Sequence, residues 1–456
     1  MYLEFLLRSI YSLMSRALGI GLGWLRGGRL SIPVCCLGAM AGYTIYCLVA
    51  DQWISSRRYQ TVEKRRRLRE STAAVGKHGS NANVDIGASA DKDAAVVQYA
   101  SLEIGGRFVN PFAGWRDKTL LDFVWWLATR KSGNGLSSDE LELERNLPLA
   151  KPYFELLNTF SGDQHPQRLR QAQSCAVDDE YAEYPAIADL NKGNTITATW
   201  FGQSTCFVQL EGLNILTDPI FKQRTVFSWL GPERLRPTPC QLADLPHPDI
   251  VLVSHNHFDH LDVDVVRDLG NTVTWYVPLG LRDWFVRRGV HKVVEMNWWQ
   301  ECEHVVEDRS FRIISTPTQH WSGRNGFDSN CSLWSSFLVK GVNLSVFHCG
   351  DTGYCPAFSE VGRKYGPVSL AILPIGSYEP RWYMCHQHIN PEDAVLIHRD
   401  LGARNSIGVH WGTFMMSDEH YMAPPRDLLQ ACVKHGLEDS EFIAPKLGKT
   451  MLYPTK

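Results

Sequence analysis

From Asn194 onward the chain alternates short apolar runs with Gly, Pro and polar turns, a pattern that predicts strands. Thr195–Phe201 is β-branched and aromatic, and Gly202 turns the chain. Cys206–Leu210 and Leu213–Leu216 predict a hairpin around Glu211–Gly212. Asp249–Val253 reads as a buried strand, and further strands are expected at 273–277, 293–295, 311–315, 335–339, 344–348, 370–375 and 407–409. Helices are expected at 263–269, 280–288, 391–401 and 426–435. Strands and helices thus alternate in two successive halves, an α/β class.

Upstream the pattern changes several times. Residues 1–29 carry Arg, Ser and aliphatics with Glu4 as the sole acid, a composition that suits a targeting or amphipathic segment, including a mitochondrial presequence. No residue from Leu30 to Ala50 is charged, and that length predicts a transmembrane helix. Residues 51–70 form a basic juxtamembrane segment, with Arg57, Arg58, Lys64, Arg65, Arg66, Arg67 and Arg69. This charge suits anionic headgroups and places the bulk of a single-pass chain on the cytosolic or matrix side, the mitochondrial inner membrane included. Residues 71–99 are small and polar, a disordered linker. Residues 100–193 read as an N-terminal extension packing on a catalytic domain at 194–456, with an aromatic-rich helix at Leu120–Thr129.

Hydrophobic residues make up 44% of the 456, and 15 are Trp, so a large core can form. A net charge of −3 gives no drive toward nucleic acid. The 12 cysteines show no CxxC pair, which argues for reduced thiols rather than a disulfide scaffold.

The candidate chemistry is concentrated in Ser254–His255–Asn256–His257–Phe258–Asp259–His260–Leu261–Asp262. His255 and His257 are two apart, so in an extended segment they point to one side, while Asp259 and His260 sit where the chain turns. One stretch can therefore feed two adjacent metal ions. Asp262 reads as the cap of the following helix. Histidine or carboxylate also ends the strand-like runs at His320, Asp351 and His410, and His386–Gln387–His388 precedes a helix. Cys349 reads as a small packing residue.

Taken in order, these motifs resemble the metallo-β-lactamase superfamily, whose HxHxDH signature is met by His255, His257, Asp259 and His260. The resemblance narrows to the family of phospholipases D that hydrolyse N-acylphosphatidylethanolamine, through Trp200–Phe201–Gly202, Thr217–Asp218–Pro219–Ile220–Phe221, Gly350–Asp351–Thr352–Gly353–Tyr354–Cys355–Pro356–Ala357–Phe358, Glu379–Pro380–Arg381–Trp382 and His410–Trp411–Gly412–Thr413–Phe414. It covers roughly residues 101 to 456 and implies an αββα sandwich with two zinc ions. His255, His257 and His320 would hold one zinc; Asp259, His260 and His410 would hold the other, with Asp351 bridging. A zinc-activated hydroxide would then attack phosphorus, releasing phosphatidic acid and an N-acylethanolamine. The resemblance also implies Asp259, Asp351 and His388 as catalytic residues, Phe258, Gln387 and His388 as substrate contacts, Asp218 as a residue orienting a ligand, and a homodimer. Two positions depart from the family: Phe258 replaces a usual Tyr, and Gln203 stands where the superfamily often has His. Competing readings are a hydrolase of a soluble lactone, thioester or phosphodiester, and a membrane scaffold without activity.

Overall fold

The computed structural model describes residues 49–67, 99–130, 135–136, 139–161, 179–325 and 327–454. The chain forms two compact units, Met1–His78 and Gly79–Lys456. In the first, a helix covers 49–67, and Glu63 pairs with Arg66 and Arg67 at 3.0 and 2.9 Å. Among the described residues no helix is long and apolar enough to cross a membrane. The span expected at 30–50 lies outside the described residues apart from its last two, and the linker expected at 71–99 apart from Tyr99.

The second unit opens with a hairpin, β1 (Leu102–Ile104) and β2 (Arg107–Val109), and three helices, α1 (Leu120–Thr129), α2 (Glu140–Asn146) and α3 (Phe154–Ser161). Its body is two seven-stranded sheets. The first contains β3 (Thr195–Trp200), β4 (Cys206–Leu210), β5 (Leu213–Thr217), β6 (Ile250–Leu252), β7 (Thr274–Pro278) and β8 (Val293–Met296) in sequence order. The second contains β9 (Glu301–Val306), β10 (Arg309–Thr316), β11 (Ser336–Lys340), β12 (Ser345–His348), β13 (Leu370–Pro374), β14 (Asn405–Val409) and β15 (Phe442–Ile443). The last strand, β16 (Thr450–Pro454), returns to pair antiparallel with β3.

Alternation along the strands shows why the sheets are layered. Val208 and Leu210 of β4, Ile250 and Leu252 of β6 and Tyr276 of β7 join one core with Ile313, Leu338 and Phe347 of the other sheet. Their neighbours Phe207, Val251, Trp275 and Val277 point the opposite way, into a second core with α4 (Val263–Leu269) and α5 (Arg282–Val286). Strands buried on both faces read as continuous apolar runs. Helices α6 (Ala357–Tyr365), α8 (Pro391–Asp400) and α9 (Ala423–His435) cover the second sheet, with α7 (Arg381–Met384) between β13 and α8. The layering is the expected αββα sandwich.

Helix α4 shows how sequence makes an element at the site. The Asp262 side chain accepts from the Asp264 N–H at 2.9 Å, the cap expected from its position. Val265, Val266 and Leu269 are buried, each stabilising by about 1.5–3 kcal/mol. Strand β9 was not expected. Glu301, Glu303 and Val305 are exposed while the residues between them are half-buried, so this sheet-edge strand lacks an apolar run. The terminal strands β15 and β16 and helices α2, α3 and α6 were likewise not anticipated.

Candidate metal centre

The candidate ligands lie on loops leaving four strands: β6 leads to His255–His260, β10 to His320, β12 to Asp351 and β14 to His410. Gly350 has φ +64°, and a Cβ there would stand 2.4 Å from the Ser254 Cβ, so only glycine lets the β12 loop pass this close to the histidine loop.

Two clusters form. His255 Nε2 lies 2.7 Å from His257 Nδ1, which lies 3.4 Å from His320 Nε2. In the other, His260 Nε2 is 3.3 Å from Asp259 Oδ2 and 3.2 Å from Asp351 Oδ2, while His410 Nε2 is 3.6 Å from Asp259 Oδ2 and 3.1 Å from Asp351 Oδ1. Within each cluster all ligand atoms lie within 4.8 Å of one another. Asp351 Oδ2 also stands 4.0 Å from His255 Nε2 and 3.8 Å from His320 Nε2, so this carboxylate lies between the clusters. All seven expected ligands are brought together.

The electrostatics suit cations. Burial, followed by the facing imidazole of His260, holds His255 well below the usual histidine range. Burial likewise lowers His257 to about 4 and His320 to about 3. Neutral imidazoles offer the lone pair a metal takes. Burial pushes Asp259 and Asp351 up, but His260 and His410 together outweigh it, and both carboxyls end well below their usual range. His260 Nε2 and Asp351 Oδ1 are buried without a hydrogen-bond partner, a cost of about 1–3 kcal/mol each that a cation would remove. The donor set of imidazoles and carboxylates fits divalent transition metals.

Comparison with known proteins agrees with this arrangement. A beta-lactamase superfamily domain matches residues 213–411, a span that includes all seven ligands. The N-acyl-phosphatidylethanolamine-hydrolyzing phospholipase D, mitochondrial, of Saccharomyces cerevisiae is 36% identical over 369 residues, covering 78% of this chain and 77% of the yeast protein. The N-acyl-phosphatidylethanolamine-hydrolyzing phospholipase D 1 of Caenorhabditis elegans is 36% identical over 360 residues, 76% of this chain and 92% of the worm protein. The chain belongs to the N-acyl-phosphatidylethanolamine-hydrolysing phospholipase D family. It has that family's metallo-β-lactamase fold and is a metal-dependent hydrolase of that class.

Other residues expected from the family surround the clusters. His388 joins His320 and Asp351 as a third group, its Nδ1 3.9 Å from Asp351 Oδ2 and buried without a hydrogen-bond partner. The Gln387 carbonyl accepts from His320 Nδ1 at 2.9 Å, and its side-chain amide reaches the Met384 sulfur at 3.8 Å. Phe258 lies under the Arg324 guanidinium, 4.2 Å from its ring centroid, and the same guanidinium donates to the Asn256 and Leu261 carbonyls at 3.0 and 2.8 Å. Asp218 accepts from His260 Nδ1 at 2.8 Å, the orienting bond expected of it. Burial pushes the Cys349 thiol well up, which suits a packing residue.

Two contributors were missed. His348, fully buried, donates Nε2–H to Asp218 Oδ2 at 2.9 Å. Its signal was the histidine at the last position of the strand that carries Asp351. Asn110, far upstream, donates to the His320 carbonyl at 2.8 Å. Nothing in its local sequence points to that loop.

Proposed function

We propose that the chain hydrolyses N-acylphosphatidylethanolamine to phosphatidic acid and an N-acylethanolamine, with zinc as the metal and two ions per site. The convergence of two ligand clusters on Asp351, in a chain of this family, carries the reading. His255, His257 and His320 would hold one ion and Asp259, His260 and His410 the other, with the Asp351 carboxylate between the two groups. Cations held there would supply an acidified water and charge neutralisation at a phosphoryl oxygen. Water oxygen bonds to phosphorus as the bond to the ethanolamine-side oxygen breaks, and that oxygen leaves with the proton that the water gives up through Asp259. Asp259 accepts the proton of the attacking water. His388, held neutral mainly by burial, has its free Nδ1 beside Asp351 and contacts the phosphoryl group. Gln387 sets the His320 loop, and Phe258 with Arg324 lines the headgroup side.

The test is turnover by the full-length chain on N-acylphosphatidylethanolamine vesicles, with both products identified, beside soluble lactones and thioesters. Turnover of the soluble set alone would replace this reading with that of a soluble-substrate hydrolase.

A bilayer is the proposed partner surface. Helix α1 leaves Leu121, Val124, Trp125 and Leu127 at least half exposed, while Trp126 stacks on Tyr383 at 5.2 Å beside the loop to His388. An exposed apolar helix face next to the site suits a lipid interface. The uncharged stretch 30–50 and the basic helix after it support an anchor with the site on the cytosolic or matrix side, and the mitochondrial yeast relative supports a mitochondrial location. A homodimer rests on the resemblance alone. Replacing Trp125 by Asp is expected to weaken vesicle binding about tenfold, the worth of one partly buried large apolar side chain. Turnover of a monomeric short-chain substrate should stay unchanged; vesicle flotation and kinetics on both substrates read the two effects.

A further inference from the structure

The ligand histidines are not supported alike. His255 Nδ1 meets Ser254 Oγ at 2.9 Å, His260 Nδ1 donates to Asp218, and His320 Nδ1 donates to the Gln387 carbonyl. Such contacts fix the ring and leave Nε2 for a cation. His257, whose distal Nε2 is buried without a partner, lacks such support, and His410 differs again. Its Nδ1 is buried without a partner, and its Nε2, the ligand atom itself, lies 2.7 Å from the Gln203 amide. The same amide nitrogen donates to Asp259 Oδ2 at 2.6 Å. Gln203 therefore spans two of the four ligand atoms of the mixed cluster.

The backbone keeps it there. Gln203 has φ +50°; its N–H donates to Thr413 Oγ1, and its carbonyl accepts from Trp200 Nε1 and from the His410 N–H, all at 2.8 Å. Gly202 before it has φ +103°, and a Cβ there would stand 2.6 Å from Arg234 Nη1. Arg234 is itself locked onto the Phe201, Ile220 and Lys222 carbonyls. The turn cannot move aside, so the amide can leave only by rotating its own side chain.

We propose that Gln203 is a positioning residue that makes the two metal positions unequal. Its amide holds Asp259 and His410 together, in the place where a divalent cation must approach them. A cation entering this cluster has to displace it, whereas the ligand atoms of the three-histidine cluster, His255 Nε2, His257 Nδ1 and His320 Nε2, face one another. The three-histidine position fills first and more tightly. The inference rests on the ligand set proposed above.

The test uses the full-length chain, stripped with chelator and titrated with Co²⁺ by calorimetry and visible absorption. The wild type is expected to take up two ions in resolved steps. Gln203→Asn tolerates positive φ but falls one methylene short. It should bind the second ion about tenfold more tightly, the worth of one hydrogen bond to a charged group, with the first step unchanged. Gln203→Gly, which removes the amide and relieves the backbone, should do the same, and matched melting curves in chelator show that both variants fold. Weaker or unchanged second binding in the two variants would overturn the proposal. Two equal steps in the wild type would overturn it while leaving the ligand set intact; uptake of no ion would overturn both.

Discussion

Asp351→Asn is expected to cut turnover by at least about 100-fold while the chain still folds, since even residues that only orient metal ligands cost 10–100-fold when replaced. Asparagine keeps the size but gives up the negative charge and one of the two donor oxygens. In the structure those oxygens face different partners: Oδ1 faces His410 at 3.1 Å, and Oδ2 faces His260 at 3.2 Å with the three-histidine cluster beyond. A group between two clusters cannot be replaced by one that serves a single cluster. His320→Ala should have a similar effect through one cluster alone. Steady-state kinetics with metal analysis on the same preparations would check both, and retention of most activity by either variant would contradict the assignment of two coupled metal positions.

The second large effect is on stability. Asp218 has no exposed surface and accepts four hydrogen bonds: from the Ser254 N–H and Oγ at 2.6 Å each, from His260 at 2.8 Å and from His348 at 2.9 Å. Burial pushes its carboxyl up, but His348 and then His260 outweigh this and hold it down to about 2. Asp218→Ala leaves two buried imidazoles and a hydroxyl without their acceptor, and is expected to destabilise the fold by about 3–5 kcal/mol. Its φ is +35°, a conformation asparagine tolerates better than alanine. Asp218→Asn should therefore cost less in stability while still weakening metal binding about 10–100-fold by loosening His260. Urea denaturation of the chelated proteins, followed by metal titration, separates the two effects. Equal stability of Asp218→Ala and wild type would show that this buried network is dispensable.

The ligand loop was legible because its spacing is local. His255, His257, Asp259 and His260 lie within six residues, so strand and turn geometry alone divides them between two points. Strand β13 was legible because burial on both faces leaves an unbroken apolar run, β4 and β5 because mainly apolar runs flank the Glu211–Gly212 turn, and α4 because Asp262 caps an apolar stripe. Strand β9 was not, because an edge strand with one face in water needs no such run.

What escaped the sequence was partnership across distance. Gln203 could be seen only as a departure from the usual histidine, and its contacts with Asp259 and His410 span 56 and 207 residues. His348 reads as the end of an apolar strand until Asp218, 130 residues earlier, is folded against it. Asn110 reaches the His320 loop across 210 residues. The amino-acid sequence by itself determined the donor types, their order and the layered α/β class, because each follows from spacing within one element. The tertiary structure alone decided which distant donors join each cluster, which carboxylate lies between them and which amide stands on the ligand atoms. Those distances depend on how loops from two sheets meet, and no local pattern records that.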